Sequence, residues 1–188
     1  MNTGTVILLV VVVLIVLIGV YIGATYNKLV KSKNSVEEAF STMDVYLKKR
    51  WDLIPNIVAS VKGYAKHEAE TLEKVISARN NGYSSMNSQQ KLEANAELNT
   101  AIKSLNVVAE QYPELKANQN FMDLNAQLKK TEEDISNARK FYNAVVKQYN
   151  NTVEMFPSSI VASMFRFEKR EMFAVEDSAQ REAVKVEF

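Results

Sequence analysis

The one histidine of the chain, His67, is the first residue to test for acid–base or metal chemistry. It stands in the stretch AKHEAE beside Glu68 and Glu70, where the pattern predicts a solvated helical face. A general base needs a fixed nucleophile beside it, and zinc or haem sites need several histidine or cysteine ligands. With no cysteine and no second histidine among 188 residues, the sequence predicts a surface residue, no enzyme activity and no cofactor.

The 22 carboxylates suggest another possibility, a hydrolase that uses Asp and Glu side chains buried between helices. Their spacing instead places most of them on outer faces beside lysines, as in Glu132, Glu133 and Asp134 next to the apolar Ile135. The chain after residue 27 also lacks a glycine-rich loop that could cradle a phosphate group. The hydrolase is therefore the weakest of the functional hypotheses.

Three adjacent cations, Lys48, Lys49 and Arg50, could contact anionic lipid headgroups. On a straight helix they would lie roughly 30 Å beyond the apolar N-terminal run, well outside the Debye length. A solvated face, or pairing with acidic residues of a neighbouring helix, is the favoured interpretation. The net charge of +1 likewise predicts no nucleic-acid partner.

Residues 1–27 carry no charged side chain, and Val6 to Val20 is an almost unbroken aliphatic run. From Thr5 to Ala24, about 20 residues would form a helix roughly 30 Å long, which matches the hydrocarbon core of a bilayer. A cleaved signal peptide would need a positive charge before the run, a shorter run and a better cleavage site. The sequence therefore predicts one uncleaved transmembrane span, with the lipid bilayer as partner.

The flanks of the span predict its orientation. Lys28, Lys31 and Lys33 follow it and no Lys or Arg precedes it, so the N-terminus should be outside and the body cytoplasmic. These three lysines are the predicted membrane-interface cations. Within the span, Gly19 and Gly23 have the GxxxG spacing that lets two transmembrane helices approach closely, a possible transmembrane contact.

Beyond the span, glycine and proline are so rare that a few long helices are expected. The clearest apolar seam alternates intervals of three and four over about 36 residues, which predicts a helix from about Asn118 to Phe156 that stops at Pro157. The seam comprises Phe121, Leu124, Leu128, Thr131, Ile135, Ala138, Tyr142, Val145, Tyr149, Thr152 and Phe156. A helix before it should begin at Asn87 or Ser88 and end at Pro113, forming an antiparallel hairpin with the seam helix.

The first soluble segment carries an apolar stripe that keeps its phase through Pro55. Pro55 removes one main-chain hydrogen bond and crowds the Trp51 carbonyl, so we expect a helix bend there. Gly63 either adds flexibility or ends the helix, which gives a three-helix or a four-helix bundle. The stripe comprises Val36, Phe40, Met43, Leu47, Trp51, Ile54, Val58, Val61, Ala65, Leu72 and Ile76.

A Tyr-Asn pair recurs in YNKLV (26–30), YNAVV (142–146) and YNNTV (149–153). In the last two pairs the tyrosine lies on the seam, so its hydroxyl needs a partner, and amides of neighbouring helices could supply one. Core tyrosines beside surface asparagines are an equally good interpretation. Both are architectural.

The segment after Pro157 offers Ser158 or Ser159 as an N-cap, and Val184 to Phe188 alternates like a strand. So many hydrophobic residues in a tail favour docking on a neighbour, although a disordered end is the alternative. The predicted oligomer contacts are Phe165, Phe167, Met172, Phe173 and Phe188.

Several motifs together resemble those of the LemA family of bacterial membrane proteins. They are DLIPN, VKGYA, YPELKA and YNxxVxxFP, and the resemblance runs from the N-terminal span to the tail. Phe40 and Tyr46 stand where the family has Trp and Gln. The resemblance implies an N-out anchor in the bacterial inner membrane and a cytoplasmic helical bundle; it supplies no catalytic or cofactor-binding residue, because the family has no established biochemical activity.

The sequence thus predicts an all-α protein with a transmembrane segment (1–27), an elongated antiparallel three- to four-helix bundle (28–157) and a C-terminal tail (158–188). We expect a membrane-anchored scaffold that forms a homo-oligomer through its tail. An adaptor that docks a membrane protease or signalling protein is the alternative, and the carboxylate hydrolase is third.

Overall fold

The computed structural model describes residues 2–65, 68–78 and 82–173, and every regular element in these ranges is helical. The prediction of an all-α protein is confirmed. The elements are α1 (Thr3–Tyr64), α2 (Ala69–Ser77), a 3₁₀ turn (Tyr83–Ser85), α3 (Ser88–Gln111), α4 (Pro113–Lys116), α5 (Gln119–Glu154) and α6 (Ser158–Met164).

Helix α1 begins with the predicted span. This part is long and apolar enough to cross a membrane, and every side chain from Val6 to Val20 is exposed within the chain. An added Cβ at Gly19 or Gly23 would meet no atom of the described residues within 4 Å, so the glycine face is open. The contact between two spans stays a prediction.

The arm that follows continues through Pro55 without a break, with Ile54, Ile57 and Val58 buried around the proline. The helix ends at Tyr64, directly after Gly63, and α2 begins at Ala69. Of the two alternatives at Gly63, the structure therefore has the break, which gives four principal helices, α1, α2, α3 and α5, within the described ranges. The bend at Pro55 stays a prediction.

Helix α3 begins as predicted, with Asn87 as its N-cap. The Gln90 amide donates to Asn87 Oδ1 at 2.9 Å, and the Asn87 amide donates to Gln90 Oε1 at 2.9 Å. This reciprocal capping box satisfies two amides that the first turn would otherwise leave unpaired.

The chain divides into two units, of which one is Ser41–Ala138. In this unit α1 and α3 run in the same direction, because Asp44 contacts Lys91 and Arg50 contacts Asn95. The amide of Asn118 donates to the hydroxyl of Tyr64 at 2.9 Å, so α5 begins where α1 ends. Short α4 makes the turn between α3 and α5, as predicted from Pro113.

The other unit contains the residues up to Phe40 and those from Arg139 onward. Here α1 and α5 are antiparallel, since Val36 packs with Val146 and Phe40 with Tyr142. Helix α6 covers α1 about two turns before Val36, where Val161 and Ala162 form a buried cluster with Leu29.

Three local predictions were wrong. The side chain of Phe156 is 81% exposed, because α5 ends two residues earlier, and Val146, which is off the seam, is fully buried. Pro157 is the N-cap of α6, so neither serine has that role. At the end of the first stripe, Val75 is buried and Ile76 exposed.

Candidate functional site

Two Tyr-Asn pairs on α5 hold the segment that follows α6. Tyr142 and Asn143, and one heptad later Tyr149 and Asn150, contact the main chain of residues 168–173. A spacing of seven residues places both pairs on one helical face. We call these four side chains the clasp and residues 168–173 the tail segment.

Each asparagine binds both the main-chain amide and the main-chain carbonyl of a single residue in the tail segment. Asn150 Nδ2 donates to the Arg170 carbonyl at 2.8 Å, and Asn150 Oδ1 accepts from the Arg170 amide at 2.9 Å. Asn143 makes the same pair of bonds with Phe173, at 3.0 and 2.8 Å. A side-chain amide has a donor beside an acceptor, so it satisfies one residue as a neighbouring strand would.

The spacing of these bonds shows that the tail segment is extended. Seven residues of helix from Asn143 to Asn150 rise roughly 10.5 Å. Three residues, from Arg170 to Phe173, reach about 10–11 Å when the chain is fully extended. The extended repeat of three residues therefore matches the helical repeat of seven.

The tyrosines add two further bonds to the main chain. Tyr149 Oη donates to the Glu168 carbonyl at 2.9 Å, and Tyr142 Oη donates to the Glu171 carbonyl at 3.3 Å. Burial raises the pKa of both phenols above its usual value, with a smaller opposing effect from Arg170. Both hydroxyls therefore keep the proton that they donate.

Side chains of the tail segment contribute one anchor and weak ion pairs. The ring of Phe173 packs against Tyr142 at a centroid distance of 5.0 Å and beneath the guanidinium of Arg139 at 5.8 Å. The pairs Lys169–Glu154 and Arg170–Glu37 are exposed, and such pairs stabilise little. The main chain and Phe173 therefore hold the segment.

A turn at the end of α6 directs the tail back along α5. The Phe167 amide donates to the Ala162 carbonyl at 2.9 Å, and the Arg166 amide donates to the Ser163 carbonyl at 3.3 Å. This is a Schellman motif, and Arg166 has the left-handed φ of 57° that it requires. Phe167 then packs beside Ala162.

Substitution of Arg166 tests this turn. R166G should raise the free energy of unfolding by up to about 1 kcal/mol, because glycine adopts positive φ without the cost of a Cβ. R166P should instead release the tail segment, since proline fixes φ near −65° and removes the amide. Chemical unfolding followed by circular dichroism, with protease digestion of the tail, measures both; equal behaviour of the two variants would contradict the assigned turn.

A second polar feature lies in the other unit. Arg50 is only 2% exposed and donates to Asn95 Oδ1 at 2.6 Å, to the Asn95 carbonyl at 3.0 Å and to Asn99 Oδ1. Asp44 accepts from the Tyr83 hydroxyl at 2.6 Å and from Lys91. We call this set, Asp44, Arg50, Tyr83, Lys91, Asn95 and Asn99, the polar cluster.

The polar cluster is tightly enclosed. Burial and the bond to Asp44 raise the pKa of Tyr83, so the phenol stays protonated, and its ring packs against Trp51 at 5.3 Å. Among the described residues, no group of three or more His, Asp or Glu side chains could hold a metal ion. The arrangement fixes α1 against α3.

The solvated face predicted for the three cations is wrong at Arg50. Lys48 pairs with Asp52 in solvent and Lys49 is exposed, as expected for such a face. Arg50 lies three residues after Leu47 and four before Ile54, so it falls on the apolar stripe. That spacing was the available signal.

The remaining predicted site residues are placed as follows. Lys28 and Lys31 are exposed and Lys33 is half-buried near the tail. Phe167 and Phe173 pack on their own chain, whereas Met172 is 51% exposed. The rings of Phe165 and Tyr26, the tyrosine of the first Tyr-Asn pair, lie 4.8 Å apart. Phe188 and the predicted strand lie outside the described residues, and the intersubunit role of these hydrophobic residues stays a prediction.

The profile of the LemA family matches residues 39–188, which is most of the chain and includes the polar cluster and the clasp. The chain belongs to the LemA family. Protein LemA of Metamycoplasma hominis is 26% identical over 144 residues, covering 76% of this chain. The match spans 65% of the length of that relative.

The motifs that resemble the LemA family also make contacts away from the clasp. Tyr112, before the motif proline, donates to a carboxylate oxygen of Glu68 at 3.4 Å, and Lys116 pairs with Glu110. Tyr64 accepts from Asn118. These bonds join the ends of helices; His67 lies outside the described residues.

The sequence pattern identified the Tyr-Asn pairs and left two interpretations open, bonds to amides of neighbouring helices or core tyrosines beside surface asparagines. The structure shows a third arrangement, in which all four side chains bind the main chain of the tail segment. The heptad spacing of the two pairs in this LemA-family sequence was the signal that they act together.

Proposed function

We propose that this LemA-family protein is a membrane-anchored scaffold that assembles with copies of itself at the bacterial inner membrane. The exposed apolar part of α1 supports the anchor. Lys28, Lys31 and Lys33 support an N-terminus outside and a helical body in the cytoplasm, because cations resist translocation.

The clasp is the observation that supports self-assembly. Its asparagines bind the main chain of the tail segment, and one turn at Arg166 connects that segment to α6. The same bonds would form if the tail came from a neighbouring copy, and exchange of an identical element is a low-cost route to oligomers. Neighbouring anchors would raise the local concentration of tails and favour this exchange.

The same property favours an adaptor as the second candidate. A clasp that binds main-chain groups would accept an extended segment of another protein, provided that an apolar side chain fills the place of Phe173 beside Tyr142. In that function the tail segment would compete with the partner.

The absence of cysteine from the chain allows a direct test. One tagged copy carries R139C on α5, next to the Phe173 ring, and a second copy with another tag carries M172C in the tail segment. A short bismaleimide applied to membranes that contain both copies should join the two tags. The control pair also carries N143A and N150A, which should abolish the product.

The products distinguish the two candidates. A band that contains both tags supports the scaffold. A third variant carries R139C and M172C in the same chain. If the bismaleimide joined the two cysteines within this variant but never joined the two tagged copies, the scaffold would be contradicted. A foreign protein joined to R139C in place of the second copy would favour the adaptor.

A further inference from the structure

Five apolar side chains lie exposed on and just before α6. Phe156 is 81% exposed and Met155 62%, and they form the turn between α5 and α6. On α6 and at its end, Ile160, Met164 and Phe165 are 56%, 58% and 45% exposed. We call these five residues the apolar edge. A patch of this kind in a protein body marks an interaction surface.

The apolar edge lies beside the last turns of the span. Ile22 packs on the cluster that Val161 and Ala162 of α6 form with Leu29. The Tyr26 ring is 4.8 Å from the Phe165 ring.

An open cleft of about 530 Å³ separates the turn from α1 at the same level. Tyr21, Ala24, Thr25 and Lys28 line it on one side, and Met155, Phe156, Pro157 and Ser158 line it on the other. The apolar edge is therefore level with α1 residues 21–29.

This level is where the span leaves the lipid. Ile22 belongs to the apolar stretch of about 20 residues that matches the hydrocarbon core, and Lys28 is the first charge after it. Tyr21 and Tyr26 are of the type that gathers at membrane interfaces. If α1 crosses a bilayer, lipid reaches the depth of Ile22, and residues packed against Ile22 lie at the same depth.

We propose that the apolar edge inserts into the lipid interface beside α1 and forms a second, monotopic membrane contact. This inference rests on the proposed anchor. Lipid is the occupant because the edge continues the exposed apolar surface of α1, which lipid surrounds, so no further partner is needed to cover it. Short interfacial helices bind in this way by burying apolar side chains at the boundary between headgroups and acyl chains.

Fluorescence quenching in the full-length protein tests the depth of the edge. Single cysteines F156C, I160C and M164C are labelled with NBD, and the protein is reconstituted into phosphatidylcholine–phosphatidylglycerol vesicles with a nitroxide at acyl carbon 5. The native side chains are exposed, so each variant should fold, and the three positions check one another.

Two control positions set the scale. L14C lies at the middle of the span and, in a second set of vesicles with the nitroxide at acyl carbon 12, reports whether α1 is inserted. F141C is a matched phenylalanine on α5, 58% exposed in the same unit, and 13 residues of helix, roughly 20 Å, separate it from Glu154. The label at F141C should respond to iodide in the water.

We expect labels at the apolar edge to be quenched several-fold more by the lipid nitroxide than the label at F141C, and less by iodide. If iodide quenched the labels at the apolar edge as strongly as the label at F141C, while the lipid nitroxide quenched the label at L14C, the inference would be overturned and the anchor would stand. Shielding from both quenchers would assign the edge to a second copy and also overturn it. A label at L14C that lipid does not reach would overturn the anchor itself.

Discussion

The double substitution N143A/N150A is expected to release the tail segment from α5 while the helices stay folded. It removes four hydrogen bonds to the main chain of Arg170 and Phe173. Each such bond contributes about 0.5–1.5 kcal/mol net, so docking should weaken by about 2–6 kcal/mol. Hydrogen exchange at residues 168–173 should accelerate accordingly, and trypsin should cleave at Lys169 and Arg170.

The matched control is N151A, which changes the exposed asparagine one residue along the same helix. It should leave both exchange and cleavage unchanged. Equal protection of the tail segment in N143A/N150A and in the native protein would show that Phe173 and the tyrosines suffice, and would contradict the role given to the asparagines.

The substitution R50A is expected to destabilise the helical body more than any other single change to the polar cluster. It removes the guanidinium group that donates hydrogen bonds to Asn95 and Asn99, and the side chain of Asn95 is fully buried. A buried acceptor left unsatisfied costs about 1–3 kcal/mol, so the free energy of unfolding should fall by about 3 kcal/mol or more. Urea unfolding in mild detergent, followed by circular dichroism, measures the change.

Two variants complete this experiment. K49A alters the adjacent exposed cation and should stay within about 0.5 kcal/mol of the native protein. R50K keeps the charge but loses the forked donors, so its free energy of unfolding should lie between those of R50A and K49A. If R50A were as stable as K49A, the buried bonds to α3 would not be a source of stability.

The helices themselves could be predicted because their periodicity is local. The seam of α5 from Phe121 to Thr152 lies on the packed face, since a repeat of three and four residues defines that face without knowledge of the neighbour. The N-cap of α3 could also be predicted from the sequence, because the side chains of Asn87 and Gln90 bond each other's main-chain amides within one turn.

The polar cluster and the clasp depend on contacts between distant segments. The spacing of Arg50 places it on the apolar stripe, but its partners there, Asn95 and Asn99 of α3, could not be identified from the sequence. The path of the tail depends on the left-handed backbone conformation of Arg166, which arginine has no local preference to adopt. Hydrophobic tail residues alone did not distinguish docking on the same chain from docking on a neighbour.

Because the clasp recognises main-chain groups, the amino-acid sequence of the tail segment can change considerably during evolution. The hydrogen bonds of the clasp to residues 168, 170 and 171 reach only main-chain atoms, so most substitutions at positions 168–171 should preserve docking. Proline at position 170 is the exception, because it lacks the amide hydrogen that Asn150 accepts. Such tolerance would let related organisms vary the charge of this stretch without losing the attachment.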